Sequence, residues 1–303
     1  MKNPYRSVGE LADTLDAAGY LADPALATAV FLALSLERPL FLEGQPGVGK
    51  TALAGVMSQL LNRPLVRLQC YYGIDLKSAA YDWNYARQMV HIRLAETLTP
   101  AGARPEDVER DVYSRDYLAP RPLLTALTMN PAPVLLIDEV DRADEAFEAL
   151  LLEFLGEFQM TIPEVGTFRA EEIPLAVLTS NRTRDVHDAL RRRCLYAWVD
   201  FPDPDRERAI LARRCPALGD DLLDGVVKAV AVLRDMPLAK RPGLAESLDW
   251  AQALARLGAE RLTPELVERT LGLIVKYYDD LDLLRRSDRW RLLLERMGRG
   301  GHG

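Results

Sequence analysis

Five short apolar runs constrain this chain most: PLFLEG at 39–44, PLVRLQ at 64–69, PVLLIDE at 133–139, PLAVLTSN at 174–181 and LYAWVDF at 195–201. Each is strand-length and apolar at successive positions, the pattern of strands covered on both faces. Helical stretches separate them, and a parallel neighbour needs a crossover of that length. The expected fold is α/β, an αβα sandwich around a five-stranded parallel sheet. Two helices precede it: Ser7 caps a run through Leu15 that stops near Gly19, and Asp23-Pro24 opens a second that ends near Leu36.

Pro202-Asp203-Pro204 breaks the chain after the fifth run, and beyond it only helical periodicity remains, near 204–214, 220–235, 244–257, 264–276 and 279–297. The expected domains are 1–202, carrying the sheet, and 203–303, a small all-helical bundle. A chain of 303 residues that is 49% apolar can fill two such cores. The polar stretch 97–119 receives no assigned element.

No run of about 18 apolar residues occurs, and MKNPYRSVGE lacks an apolar signal core, so a cytoplasmic protein without membrane insertion is expected. Cys70, Cys194 and Cys215 are odd in number and widely spaced, which fits small buried thiols better than a disulfide framework or a zinc site. A net charge of -7 disfavours a nucleic-acid coat.

The first strand run leads into GQPGVGKT at 44–51, and a helical stretch through Leu61 follows. Strand, glycine-rich turn and helix in that order give GxxxxGK[ST] its meaning. Gly44, Gly47 and Gly49 let the backbone of Gln45, Pro46, Val48 and Lys50 curl so that successive N–H groups, Pro46 having none, face phosphate oxygens, and the helix N-terminus adds partial positive charge. Lys50 is expected on the outer phosphates, and the Thr51 hydroxyl on Mg²⁺.

An acidic group at a neighbouring strand end completes such a site, and VLLIDEVDR supplies Asp138 for the metal. Glu139, one residue on, is placed to deprotonate an attacking water, which favours hydrolysis of ATP over phosphoryl transfer to a bound acceptor. Asn181 ends the fourth run, where its amide could reach the water or the terminal phosphate; a loop-capping role is the plainer alternative. Arg191, Arg192 and Arg193 close a short helix begun near Asp185. They either complement its dipole or supply a cation to a neighbouring subunit's site.

This order of motifs, followed by a helical lid, resembles the AAA+ superfamily across nearly the whole chain. LERPLFLEGQPGVGKTALA, LLIDEVDRADEAFEALLLEFL and LTSNRTRDVHDALRRRCLYAWVDFPDPDRERAI are similar to its MoxR family, most of all the branch tied to maturation of carbon monoxide dehydrogenase and molybdenum hydroxylases. That resemblance implies an ATP-hydrolysing, chaperone-like hexameric ring, a client enzyme, and a partner with a von Willebrand factor A domain. It makes Lys50 and Thr51 the Walker A pair, Asp138 and Glu139 the Walker B pair and Asn181 sensor 1. Arg193, with Arg192 beside it, becomes the arginine finger.

Two inserts fit the family: a β-hairpin expected at 158–170, turning at Glu164-Val165-Gly166, and the aromatic-rich segment 70–96. Tyr71, Tyr72, Tyr81, Trp83 and Tyr85 there either line a pore or pack a core. One departure stands out. A lid-helix arginine is common in the superfamily, but RPGLAESLDWAQAL offers Ser247 or Leu248 at that place, with Arg241 just upstream. The rival functions are a nucleic-acid motor or loader, and a small-molecule kinase or slow nucleotide switch.

Overall fold

The computed structural model describes residues 3–98 and 112–299. They form two compact units: one of Met1–Thr14, Asp23–Glu43 and Thr51–Trp198, the other of Leu15–Ala22, Gly44–Lys50 and Val199–Gly303. Most of the stretch 97–119 lies outside the described residues.

Nine strands are described: β1 (Leu40–Gly44), β2 (Leu65–Gln69), β3 (Tyr81–Trp83), β4 (Leu118–Pro120), β5 (Val134–Asp138), β6 (Gln159–Ile162), β7 (Gly166–Arg169), β8 (Leu175–Ser180) and β9 (Leu195–Val199). The first unit is built on a five-stranded sheet of order β2-β5-β8-β1-β9, the α/β architecture expected from the five runs. β5 and β8 are buried at every residue, as strands with helices on both faces must be. The parallel register sets Gln69 opposite Asp138 and Glu43 opposite Ser180, so the polar strand ends share one edge. Ligands of open α/β sheets bind at that carboxyl edge.

Phe41, Leu123, Leu135, Phe154 and Leu178 centre the first unit's core, each worth about 1.5–3 kcal/mol on burial. Against it lies the hairpin of β6 and β7, with Ile162 opposite Gly166, the latter at φ +99°. Alternation sends Met160, Ile162 and Phe168 inward, while Thr161 and Thr167 hydrogen-bond on the outer face at 2.9 Å.

The aromatic segment divides. Tyr81 and Trp83 sit on β3, which pairs with β4, and Trp83 meets Tyr113 edge-on at 5.3 Å. Tyr71, Tyr72 and Tyr85 are exposed, Tyr72 at 88%.

The second unit is helical: Pro204–Arg214, Asp220–Arg234, Leu244–Arg256, Pro264–Thr270, Tyr278–Arg286 and Asp288–Arg299. Asp203 and Thr263 each cap a helix that has proline at its first position. The stretch read as one helix over 279–297 is two, because Ser287 is extended (ψ 121°) and its hydroxyl accepts from Trp290 N at 3.3 Å. The helix expected to reach 276 stops at Thr270. Its hydroxyl turns back to Leu266 O and accepts from the buried Trp250 Nε1 at 2.8 Å.

Arg234 crosses this core with both terminal nitrogens on Glu207, at 2.7 and 2.8 Å, and Nε on the carbonyl of Pro242 at 2.9 Å. Glu207 is 1% exposed, so removing the guanidinium strands a buried carboxylate. We expect Arg234→Ala to lose about 3–5 kcal/mol of unfolding free energy in urea titration. A loss below about 1 kcal/mol would show the pair to be dispensable.

Candidate active site

The loop at Gly44–Lys50 requires its glycines. A Cβ at Gly44 would collide with the carbonyl oxygen of Val199, and Gly47 and Gly49 hold φ +79° and +99°, left-handed values that disfavour side chains. Lys50 is only 5% exposed, and its Nζ donates to the carbonyls of Gly44 and Gln45, each at 2.7 Å. The ammonium thus folds back over the start of the loop. The chain passes at Thr51 into the first unit.

There the structure brings together Thr51, Asp138, Glu139 and Asn181. Asp138 Oδ1 accepts from the Thr51 hydroxyl at 3.0 Å and the Thr179 hydroxyl at 2.6 Å, and Oδ2 pairs with Arg67 at 2.6 Å. Glu139 adopts φ 55°, a left-handed conformation uncommon for a side chain of that size, and its N–H donates to Thr179 at 2.9 Å. Its carboxylate accepts from Asn181 Nδ2 at 3.1 Å and Gln69 Nε2 at 3.0 Å, and it forms an ion pair with Arg142 Nε at 3.0 Å. The backbone turn aims Glu139 away from the line of the strand, while two amides fix its oxygens. A carboxylate so held can accept a proton from a water within hydrogen-bond reach.

Four of these partners, Thr179, Gln69, Arg67 and Arg142, are not singled out by sequence reasoning, and neither is Asp141. Asp141, 2% exposed, receives the N–H groups of Asn181 at 3.2 Å and Thr183 at 2.8 Å, which sets the loop bearing Asn181. Gln69 carries a signal only once β2 is known to pair with β5. Cys70 follows it, and its thiol is pushed up to about 12, first by burial and then by the nearby carboxylates Asp138, Asp141 and Glu139. It is a neutral thiol at physiological pH, not a nucleophile.

The arginine run separates into three fates. Arg191 is held inside, at 2.8 Å from Glu43, which is 2% exposed and also accepts from Tyr196 OH at 2.9 Å. Arg192 is exposed, 3.5 Å from Asp188. Arg193 is exposed, its guanidinium lying over Gly156, where a Cβ would collide with it. Neither of the last two bonds to the Asp138–Glu139 cluster. Their short helix, Asp188–Arg193, is anchored by buried Glu148, which pairs with Arg184 and accepts from His187 N at 2.7 Å.

Magnesium favours hard oxygen ligands and takes one or two from protein beside phosphates and water. The adjacent hydroxyl of Thr51 and carboxylate of Asp138 fit that demand. No cluster of three His, Cys, Asp or Glu suited to a metal occurs among the described residues. Ser247, one of the two residues near the place expected for a lid arginine, is fully buried and donates to Gly243 O at 3.0 Å.

The family model of the AAA domain (dynein-related subfamily) matches residues 39–194, just over half of the chain. The chain belongs to that AAA family. The family match, the glycine-rich loop at 44–51 and the parallel sheet together make it a P-loop AAA protein. A curated relative of this AAA protein is the gas vesicle ATPase GvpN of Haloferax mediterranei, 27% identical over 213 residues. That match covers 67% of this chain and 58% of the relative's length. Among solved structures, the Holliday junction branch migration motor RuvB of Thermotoga maritima is similar. It is 16% identical with a TM-score of 0.45, covering 94% of this chain and 74% of that one. A point mutant of the same RuvB is 18% identical with a TM-score of 0.47, covering 88% and 69%. No helix among the described residues is long and apolar enough to cross a membrane.

Proposed function

We propose that this AAA+ protein hydrolyses ATP to remodel a protein client. The observation that carries this is the convergence of Thr51, Asp138, Glu139 and Asn181 on one strand edge. In this reading Gly44–Lys50 hold the phosphates, Lys50 sets the terminal one, Glu139 takes the proton of the attacking water and Asn181 orients Glu139. Thr51 and Asp138 hold Mg²⁺, which when bound offsets phosphate charge. Residues 1–202 form the nucleotide-binding domain, and 203–303 the lid. The finer reading adds a cytoplasmic, MoxR-type hexamer. It matures a metal-cofactor enzyme of the molybdenum hydroxylase kind, beside a von Willebrand factor A domain partner. Exposed Tyr71, Tyr72 and Tyr85 face the client.

The arginine run supports action across subunits. Arg191 is committed to Glu43, while Arg192 and Arg193 are exposed, the Arg193 guanidinium lying against Gly156. We expect Arg193→Ala to release phosphate from ATP about 10³-fold more slowly at unchanged nucleotide affinity. Mixing it with Glu139→Gln should restore activity, because one interface then pairs an intact base with an intact arginine. No rescue at any ratio would remove Arg193 from this role. A phosphorylated small molecule in place of free phosphate would favour a kinase, and steep salt-sensitive stimulation by DNA a nucleic-acid motor.

A further inference from the structure

The second unit places a carboxylate beside the phosphate loop, at the turn where a lid arginine is expected. Helix Leu244–Arg256 begins against the loop's crest. Ala245 N donates to Gly47 O at 3.3 Å, and a Cβ on Gly243 would stand 2.8 Å from Pro46 O and 2.9 Å from Gly47 Cα. The backbones touch glycine to glycine. A Cβ on Gly47 would lie 2.9 Å from Glu246 Oε2, so the Glu246 carboxylate rests on the loop itself.

That carboxylate is fixed on two sides. Oε2 accepts from Gly243 N at 3.1 Å, closing the first turn of the helix, and Oε1 pairs with Lys240 Nζ at 3.2 Å. The Glu246 side chain is 16% exposed, which limits screening by water. Lys240 is held in turn, because buried Asp280 accepts from the N–H groups of Ala239 at 2.7 Å and Lys240 at 3.2 Å. Arg234 fixes the same segment through Pro242 O. The segment 239–243 is therefore pinned at both ends, and the Glu246 carboxylate that follows it is turned to the loop.

We propose that Glu246 is a specificity-determining residue that sets nucleotide affinity by like-charge repulsion, with Lys240 tuning it. Phosphates held on the N–H groups of the loop bring several negative charges next to Glu246. Each added phosphate raises the cost of the contact between Gly47 and the helix start. The carboxylate opposes the triphosphate more than the diphosphate, so the lid contact loosens as charge accumulates. Lys240 offsets part of this charge. Like charges a few ångströms apart at an intermediate dielectric shift an equilibrium about tenfold or more.

The inference rests on reading Gly44–Thr51 as the ATP site, and the test separates the two. Affinities for Mg-ATP and Mg-ADP are measured by calorimetry on the full chain in a Glu139→Gln background, which prevents turnover. Gln retains the acceptor for Gly243 N, so E246Q keeps the helix start while removing the charge. We expect E246Q to tighten ATP binding about tenfold and ADP binding less, with the difference shrinking at high salt. K240Q should weaken ATP binding when Glu246 is present and do nothing in the E246Q background, a coupling that loss of packing alone would not give. Equal ATP affinity in E246Q, or K240Q acting alike in both backgrounds, overturns the proposal and leaves the ATP site standing. Absence of ATP binding in every variant overturns both.

Discussion

Glu139→Gln should bind ATP with the affinity of the unaltered protein and hydrolyse it about 10²–10⁴-fold more slowly, the usual contribution of a positioned base. The substitution keeps the shape of the side chain, and it keeps the left-handed turn whose N–H is held by Thr179. Asn181 and Gln69 bond to different oxygens of the carboxylate, so the single carbonyl oxygen of Gln can still accept from one of them, but Gln has no lone pair basic enough to take a proton from water. Binding should be spared, because the loop and Thr51 are untouched. Phosphate release under saturating ATP, beside a direct affinity measurement, checks both halves. Turnover within twofold of the parent would take the base role away from Glu139. Loss of affinity would show that the charge is needed to bind and not to react.

The fold was readable because its signals are local. Each buried strand of the main sheet is a compact apolar run, and Asp23-Pro24, Asp203-Pro204 and Thr263-Pro264 carry their helix starts in consecutive residues. The loop and the Asp138-Glu139 pair were readable for the same reason. What surrounds Glu139 was not, because it depends on strand order. β2 and β5 are neighbours although a long stretch of sequence separates them, and only that pairing brings Gln69 and Arg67 to the carboxylates. Thr179 looks like any β-branched strand residue until β8 is set beside β5. The arginine run shows the same limit: three identical side chains in a row differ only in what packs beneath them, and Glu43 and Phe41 claim Arg191 alone.

The arrangement around Glu43 also links two parts of the proposed site. Glu43 is the last residue before the loop, and it holds the helix that exposes Arg192 and Arg193. Through it, the strand that feeds the phosphate loop and the helix that presents the arginines share one buried carboxylate. A shift in one is felt by the other because the interior is close-packed.

Lys50→Ala should abolish measurable ATP binding under conditions where the parent saturates. Lys50 is buried and its ammonium spans the carbonyls of Gly44 and Gln45, so its position is set before any ligand arrives. Pre-set charge contributes fully to binding, since no side-chain freedom is lost on contact. Each charge-assisted hydrogen bond to a phosphate oxygen is worth about 1.5–3 kcal/mol, and two or more together correspond to at least a hundredfold in affinity. ATP should lose more than ADP, because the longer chain of phosphates meets the ammonium more completely. Thermal melting separates this effect from collapse of the loop: glycine geometry and the Gly44–Val199 approach do not depend on Lys50, so the unliganded melting temperature should hold within a few degrees. Retained ATP affinity within threefold would mean that backbone N–H groups alone carry the phosphates, and Lys50 would then be a structural cation for the carbonyls it covers.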